Sequence, residues 1–205
     1  MAPRSLRIAI PESPLGLEGR VYEGPDALPE ALAVVAPPHP LYGGSIDNPV
    51  VKTLEGAYRA SRRATLAFNF RGVGESDGAP SADLALARAD YLAAARALPQ
   101  RTPRWLSGYS FGSCAALMAG VELSSEHVLL IAPPLGLLDP ALLRAYAGKL
   151  AVVVGDDDHY CPVRELRELL ARAGGGSVEV LDGVDHFFSG NQVRLLAEAL
   201  TRVIG

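Results

Sequence analysis

From residue 31 onward, short apolar runs rich in Val, Leu, Ile and Ala alternate with stretches of helical periodicity. An apolar run without polar interruption forms a strand only where both faces are covered. Helices between such strands return the chain to the same end of the sheet. The alternation therefore predicts an α/β architecture, a mostly parallel sheet flanked by helices, with strands over residues 31–36, 64–70, 104–108, 128–131, 150–155 and 177–181. Residues 6–10 and 17–22 precede any helical stretch, and Pro14-Leu15-Gly16 supplies a turn between them. They are expected to start the sheet as an antiparallel pair.

The helical stretches carry their own start and stop signals. Asn48-Pro49 is an N-cap followed by proline at the first helical position, ahead of Val50, Leu54 and Tyr58 at helical spacing. Ser81 is the expected cap of a second helix, with Leu84, Ala87, Tyr91, Ala94 and Leu98 inward and Pro99 ending it. Asp139-Pro140 opens a short helix that Gly148 is expected to close, and residues 163–173 and 192–204 complete the set. There is no internal repeat or linker. One domain spanning 1–205 is expected, burying roughly 70% of its unfolded surface.

Bulk properties exclude several function classes. A net charge of −4, with arginines scattered and no basic stripe, argues against a nucleic-acid partner. No apolar run reaches signal-peptide or membrane-spanning length, so a cytoplasmic protein without a membrane partner is expected. Cys114 and Cys161 are too few for a disulfide framework and lack metal-ligand spacing, and both read as buried thiols. His39, His159 and His186 share no element on which a metal-ligand spacing could form, so no metal and no cofactor are expected. Gly72-x-Gly74 is followed by Asp77 where a dinucleotide fingerprint needs its third glycine. Residues 71–78 are instead expected to shape a wall of the active site.

Chemistry concentrates at Gly108-Tyr109-Ser110-Phe111-Gly112, between a strand-like stretch and a run of small helical residues. A Gly-x-Ser-x-Gly turn in that context lifts the serine off the end of a strand, where a base can reach its hydroxyl. An activated serine needs an imidazole, and the imidazole needs a carboxylate that fixes its tautomer. Both types follow in the order Ser, Asp, His. The strand over 150–155 runs into Asp156-Asp157-Asp158-His159, and the strand over 177–181 runs into Asp182-Gly183-Val184-Asp185-His186. His186, in a loop ahead of the last helix, is the candidate base. His127 precedes a strand and lies at the wrong end, and His159 is contiguous with the carboxylates. Any of the three consecutive aspartates has the right chemistry; spacing at the loop crest favours Asp158. Asp185 is set aside because adjacent side chains point apart.

The runs His39-Pro40-Leu41-Tyr42-Gly43-Gly44, Phe68-Asn69-Phe70-Arg71-Gly72-Val73-Gly74-Glu75-Ser76-Asp77-Gly78 and Gly108 to Gly112 resemble a family of small bacterial α/β-hydrolases, predicted serine hydrolases related to dienelactone hydrolases and serine aminopeptidase-like proteins. The resemblance covers almost the whole chain, and the family's acid and histidine patterns map onto Gly155, Asp158 and Pro162 and onto Asp185 to Phe188. One departure stands out. The family usually reads His-Pro-His-Pro, and here Pro37-Pro38-His39-Pro40 lacks the first histidine.

The resemblance implies a three-layer α/β-hydrolase fold. It also implies an oxyanion hole built from the Phe111 amide and a second amide from Leu41 or Tyr42. Residues 132–148 are too few for a substantial lid, so an open site for a small or short-acyl ester is expected, with His39, Tyr109, Leu135, Tyr160 and Phe187 as candidate pocket residues. A carboxylic-ester hydrolase is the leading expectation. An amidase or aminopeptidase would need an acidic pocket, for which Glu75, Asp77 and Asp157 are candidates, and a non-catalytic binding protein is the third expectation. A monomer or a homodimer is compatible with the sequence.

Overall fold

The architecture follows from how the apolar runs divide their side chains. In the computed structural model, which describes residues 2–24, 27–28 and 31–205, eight strands form one sheet. They are β1 (Arg4–Ala9), β2 (Gly16–Tyr22), β3 (Ala31–Ala36), β4 (Ala64–Phe68), β5 (Thr102–Tyr109), β6 (His127–Ile131), β7 (Lys149–Gly155) and β8 (Ser177–Leu181), in the order β1-β2-β4-β3-β5-β6-β7-β8. β1 and β2 pair antiparallel with each other and β2 with β4, while all other pairings are parallel. Along β3, Leu32, Val34 and Ala36 pack into one apolar cluster and Ala33 and Val35 into the other. The two-residue period thus divides each run between two cores.

Helices cover both faces. α1 (Pro49–Ala60) and α6 (Gln192–Ile204) enclose the smaller core, which holds Leu54, Tyr58, Leu196 and Leu200. α2 (Leu84–Arg96), α3 (Phe111–Leu123), α4 (Pro140–Ala145) and α5 (Val163–Ala173) cover the larger one. Asn48 caps α1 as its sequence predicts, its side-chain oxygen accepting from the Val50 N–H at 2.9 Å. No helix among the described residues is long and apolar enough to cross a membrane.

Three boundaries differ from the sequence reading. The cap of α2 is Asp83, whose carboxylate accepts from Ala85 N–H at 2.7 Å, while Ser81 accepts from Asp83 N–H one turn earlier. The first hairpin reverses over residues 11–14, because Gly16 is already paired with Ala9. Finally, α4 ends at Ala145, and the Tyr146 hydroxyl after it is bonded to the Ser125 carbonyl.

Residues 71–78 serve the scaffold rather than the cleft. Asn69, buried where β4 ends, donates to Glu18 at 2.7 Å and accepts from the Ile46 N–H at 2.8 Å; the Ser76 hydroxyl donates to its carbonyl. Arg71 spans both carboxylate oxygens of Asp90, with its closest contact at 2.6 Å, and the Asp90 side chain is only 1% exposed. Removing one partner of such a pair leaves an uncompensated buried charge. Arg71→Met is expected to cost about 3 kcal/mol or more. Arg88→Ala, which breaks an exposed pair with Glu122, is expected to cost under about 0.5 kcal/mol. Urea denaturation midpoints at unchanged slope measure both.

Candidate active site

The sheet order reverses between β3 and β5: the chain leaves β3 toward β4 on one side and returns to β5 on the other. Loops at the carboxyl ends of two such strands diverge and leave a crevice. Ser110 follows β5 and His39 follows β3, so both face this crevice.

Ser110 has φ 53° and ψ −120°, a backbone conformation that a residue with a side chain adopts only under constraint. The constraint is visible. Its N–H donates to the Ile131 carbonyl at 2.8 Å, and its carbonyl accepts from the Ser113 hydroxyl. The flanking glycines permit the turn by close approach. A Cβ on Gly108 would meet the backbone of Gly112 and Ser113, and one on Gly112 would meet the carbonyls of Ala36 and Pro37.

His186 is held just as firmly. The loops after β7 and β8 are joined by Asp156 N–H to Leu181 carbonyl at 3.1 Å, Asp157 N–H to Val184 carbonyl at 3.1 Å and Gly183 N–H to the Asp156 carboxylate at 2.6 Å. The Tyr109 hydroxyl donates to the His186 carbonyl at 2.8 Å. In this setting Ser110 Oγ lies 3.0 Å from His186 Nε2, and His186 Nδ1 lies 2.8 Å from Asp158 Oδ2. The other Asp158 oxygen accepts the N–H groups of Tyr160 and Cys161 at 2.8 and 3.0 Å. Asp158 is buried; Asp156 is exposed and bonded to Gly183, and Asp157 is exposed as well.

The cleft has a volume of about 630 Å³. Of the candidate pocket residues, His39, Tyr109, Tyr160 and Phe187 line it, as does Tyr42. Leu135 does not. It is half-buried against the larger core, with its N–H bonded to the Tyr160 carbonyl, and Pro134, Gly136 and Leu137 of the same turn line the cleft in its place. Sequence alone cannot tell which residue of a turn faces inward without the turn's own periodicity. Asn48 and Phe111 also line the cleft, the former at the cap of α1. Residues 71–78 are absent from the lining, as are His159 and Asp157. His127, at the start of β6, stacks on Trp105 with ring centroids 3.8 Å apart. Burial holds the His39 imidazole below its ordinary pKa.

The turn after β3 uses two of its amides internally. Leu41 N–H donates to His39 Nδ1 at 3.2 Å and Tyr42 N–H to the His39 carbonyl at 3.1 Å. Neither is therefore free to meet an oxyanion without breaking a bond. The described residues offer no acceptor to the N–H groups of His39 and Phe111.

No family model matches the chain. An α/β serine hydrolase homologue from Coxiella burnetii superposes with a TM-score of 0.89 at 27% identity, covering 100% of this chain and 99% of that one. A lidless α/β serine hydrolase from Xanthomonas campestris superposes with a TM-score of 0.78 at 26% identity, covering 100% of this chain and 94% of that one. An uncharacterized protein of Rickettsia prowazekii is 29% identical over 84% of this chain and 79% of its own length. The sheet order, the strained serine turn and these likenesses define an α/β-hydrolase. The chain belongs to the α/β-hydrolase superfamily, and its likeness to serine hydrolases supports hydrolase activity.

Both cysteines lie close to this site, Cys114 in the first turn of α3 and Cys161 beside Asp158. Burial raises the Cys114 thiol to about 12; burial, then the nearby Asp158 carboxylate, raises that of Cys161. Thiolate is the reactive form. A thiol-disulfide reagent at pH 8 is expected to titrate no thiol in the native protein and both in denaturant, read by absorbance of the released chromophore.

Proposed function

We propose that the protein is a serine carboxylic-ester hydrolase acting on small or short-acyl esters through an acyl-serine intermediate. The carrying observation is the continuous chain from Ser110 Oγ through the His186 imidazole to the buried Asp158 carboxylate, with both links at 3.0 Å or less. A carboxylate only accepts hydrogen bonds, so Nδ1 carries the hydrogen of the neutral imidazole and Nε2 is left as the acceptor. Nε2 then takes the Ser110 proton as Oγ attacks the ester carbonyl carbon. It delivers that proton to the alcohol oxygen as the carbon–oxygen bond breaks. In the second half, Nε2 takes a proton from water, the hydroxide oxygen attacks the acyl carbon, and the Ser110 oxygen recovers the proton as the acid leaves.

The cleft chemistry favours an ester over an aminoacyl substrate. Glu75 and Asp77 lie in the scaffold loop, Asp77 is paired with Arg7, and neither they nor Asp157 line the cleft to meet an ammonium group. Ser110→Ala is expected to lower turnover of a short-chain nitrophenyl ester by about 10⁴ to 10⁶, and Asp158→Asn by about 10⁴. A fluorophosphonate probe is expected to label Ser110 in the wild type. Folded protein that neither labels nor turns over esters would be a binding protein on the same fold, and faster hydrolysis of aminoacyl amides than of esters would reverse the choice of substrate.

The oxyanion donors in this reading are the amides of Phe111 and His39, because those of Leu41 and Tyr42 are already bonded. His39 has φ −58°, within the range that proline imposes, so His39→Pro deletes the N–H at little backbone cost. It is expected to lower kcat by about 10² to 10³, whereas His39→Ala, which keeps the amide, is expected to stay within about tenfold of wild type. Steady-state kinetics on one nitrophenyl ester separates the two.

A further inference from the structure

Among the described residues, four of the seven exposed large apolar side chains line the cleft. Tyr42, Leu137, Tyr160 and Phe187 are 86, 42, 56 and 67% exposed, and all four line it. Scattered exposed leucines need no explanation, but a contiguous apolar rim around a pocket marks a binding surface. Two of these side chains surround the imidazole. The Tyr160 ring lies 4.6 Å from the His186 ring, and Phe187 lies 5.3 Å away, perpendicular at 89°. Tyr160 and Phe187 themselves meet edge to face at 6.3 Å and 80°.

The backbone that carries both rings is fixed despite their exposure. Tyr160 is anchored through its N–H to Asp158 and through its carbonyl to Leu135, and Phe187 through its N–H to the Asp185 carboxylate at 2.8 Å. A fixed main chain at these positions removes part of the ordering cost of a complex.

The chemistry of acylation says which part of the substrate these rings meet. The alcohol oxygen must approach His186 Nε2 to receive its proton, so the alcohol portion lies beside the imidazole and against the paired rings that adjoin it. Aromatic faces and edges favour another ring over an aliphatic group of equal size. Among the described residues no Asp, Glu, Lys or Arg lines the cleft, and a charged alcohol would find no counter-ion there.

We propose that the leaving-group side of the cleft selects an uncharged aromatic alcohol, in an aryl or arylmethyl ester, with Tyr160 and Phe187 as the specificity residues. This rests on the serine-hydrolase reading above.

The test compares methyl, cyclohexylmethyl and benzyl butyrate. They share one acyl-enzyme, and their alcohols are of nearly equal acidity, so differences in kcat/KM report binding of the alcohol portion during acylation. Benzyl butyrate is expected to exceed methyl butyrate by about 10- to 50-fold and cyclohexylmethyl butyrate by severalfold. In the double variant Tyr160→Leu, Phe187→Leu, which keeps apolar bulk and removes the rings, the benzyl-to-cyclohexylmethyl ratio is expected to fall to near one. Ratios are read within each protein, so a general loss of activity does not enter. Three results overturn the inference: a wild-type benzyl-to-methyl ratio near one, equal rates for benzyl and cyclohexylmethyl esters, or a preference that survives in the double variant. Absence of both turnover and fluorophosphonate labelling overturns the hydrolase reading and this inference together. Labelling with no preference among the three esters overturns this inference alone.

Discussion

Everything at the reactive edge depends on how closely the backbone of the serine turn approaches its neighbours. Ser110 sits in a conformation that costs of order 1–3 kcal/mol and persists only because its surroundings leave no alternative. Those surroundings are backbone packed on backbone. The Gly112 Cα faces the carbonyls that end β3, and Gly108 faces the first turn of α3. With α3 so near, most of its buried positions are small, Ser113, Cys114, Ala115, Ala116, Ala119 and Gly120 standing beside the larger Phe111 and Leu117. A helix of larger residues would stand further from the sheet, and the serine would relax out of reach of its imidazole.

The opposite bank of the crevice is built on a different principle. His186 is placed by hydrogen bonds that join the loops after β7 and β8, by Gln192 at the start of α6, which accepts from the Asp185 N–H and donates to the Gly183 carbonyl, and by the Tyr109 hydroxyl reaching across from β5. Tyr109 thus belongs to both banks, with its backbone preceding the serine and its side chain holding the histidine loop.

Much of this was legible in the sequence, and the pattern of success has physical reasons. Strand runs buried on both faces read plainly, because apolar residues fill both faces with few exceptions such as Thr65 and Ser107, and the antiparallel start read from position alone. The approach of Ser110, Asp158 and His186 follows from each ending up past the carboxyl end of a parallel strand, which strand order makes predictable. What sequence could not supply was the direction of side chains within irregular segments. Leu135 and Leu137 are two residues apart in one turn and chemically identical, yet one packs on the core and the other lines the cleft. Ser81 and Asp83 are both competent caps, and only the path of the chain selects the second. The run at residues 71–78 looks like a ligand loop because it is rich in glycine. Arg71, the Glu75 N–H and the Ser76 hydroxyl instead satisfy Asp90, Glu18 and the Asn69 carbonyl.

The segment between β6 and β7, one 3₁₀ turn and a helix of six residues, leaves the crevice without a roof. A reactive carbonyl seated on the serine would be shielded from the medium only by the departing alcohol. Once that alcohol diffuses away, the medium itself floods the vacated half of the cleft from above. On the esterase reading, an unroofed cleft of this kind leaves the covalent species to water, unless an alcohol seated against Tyr160 and Phe187 competes for it.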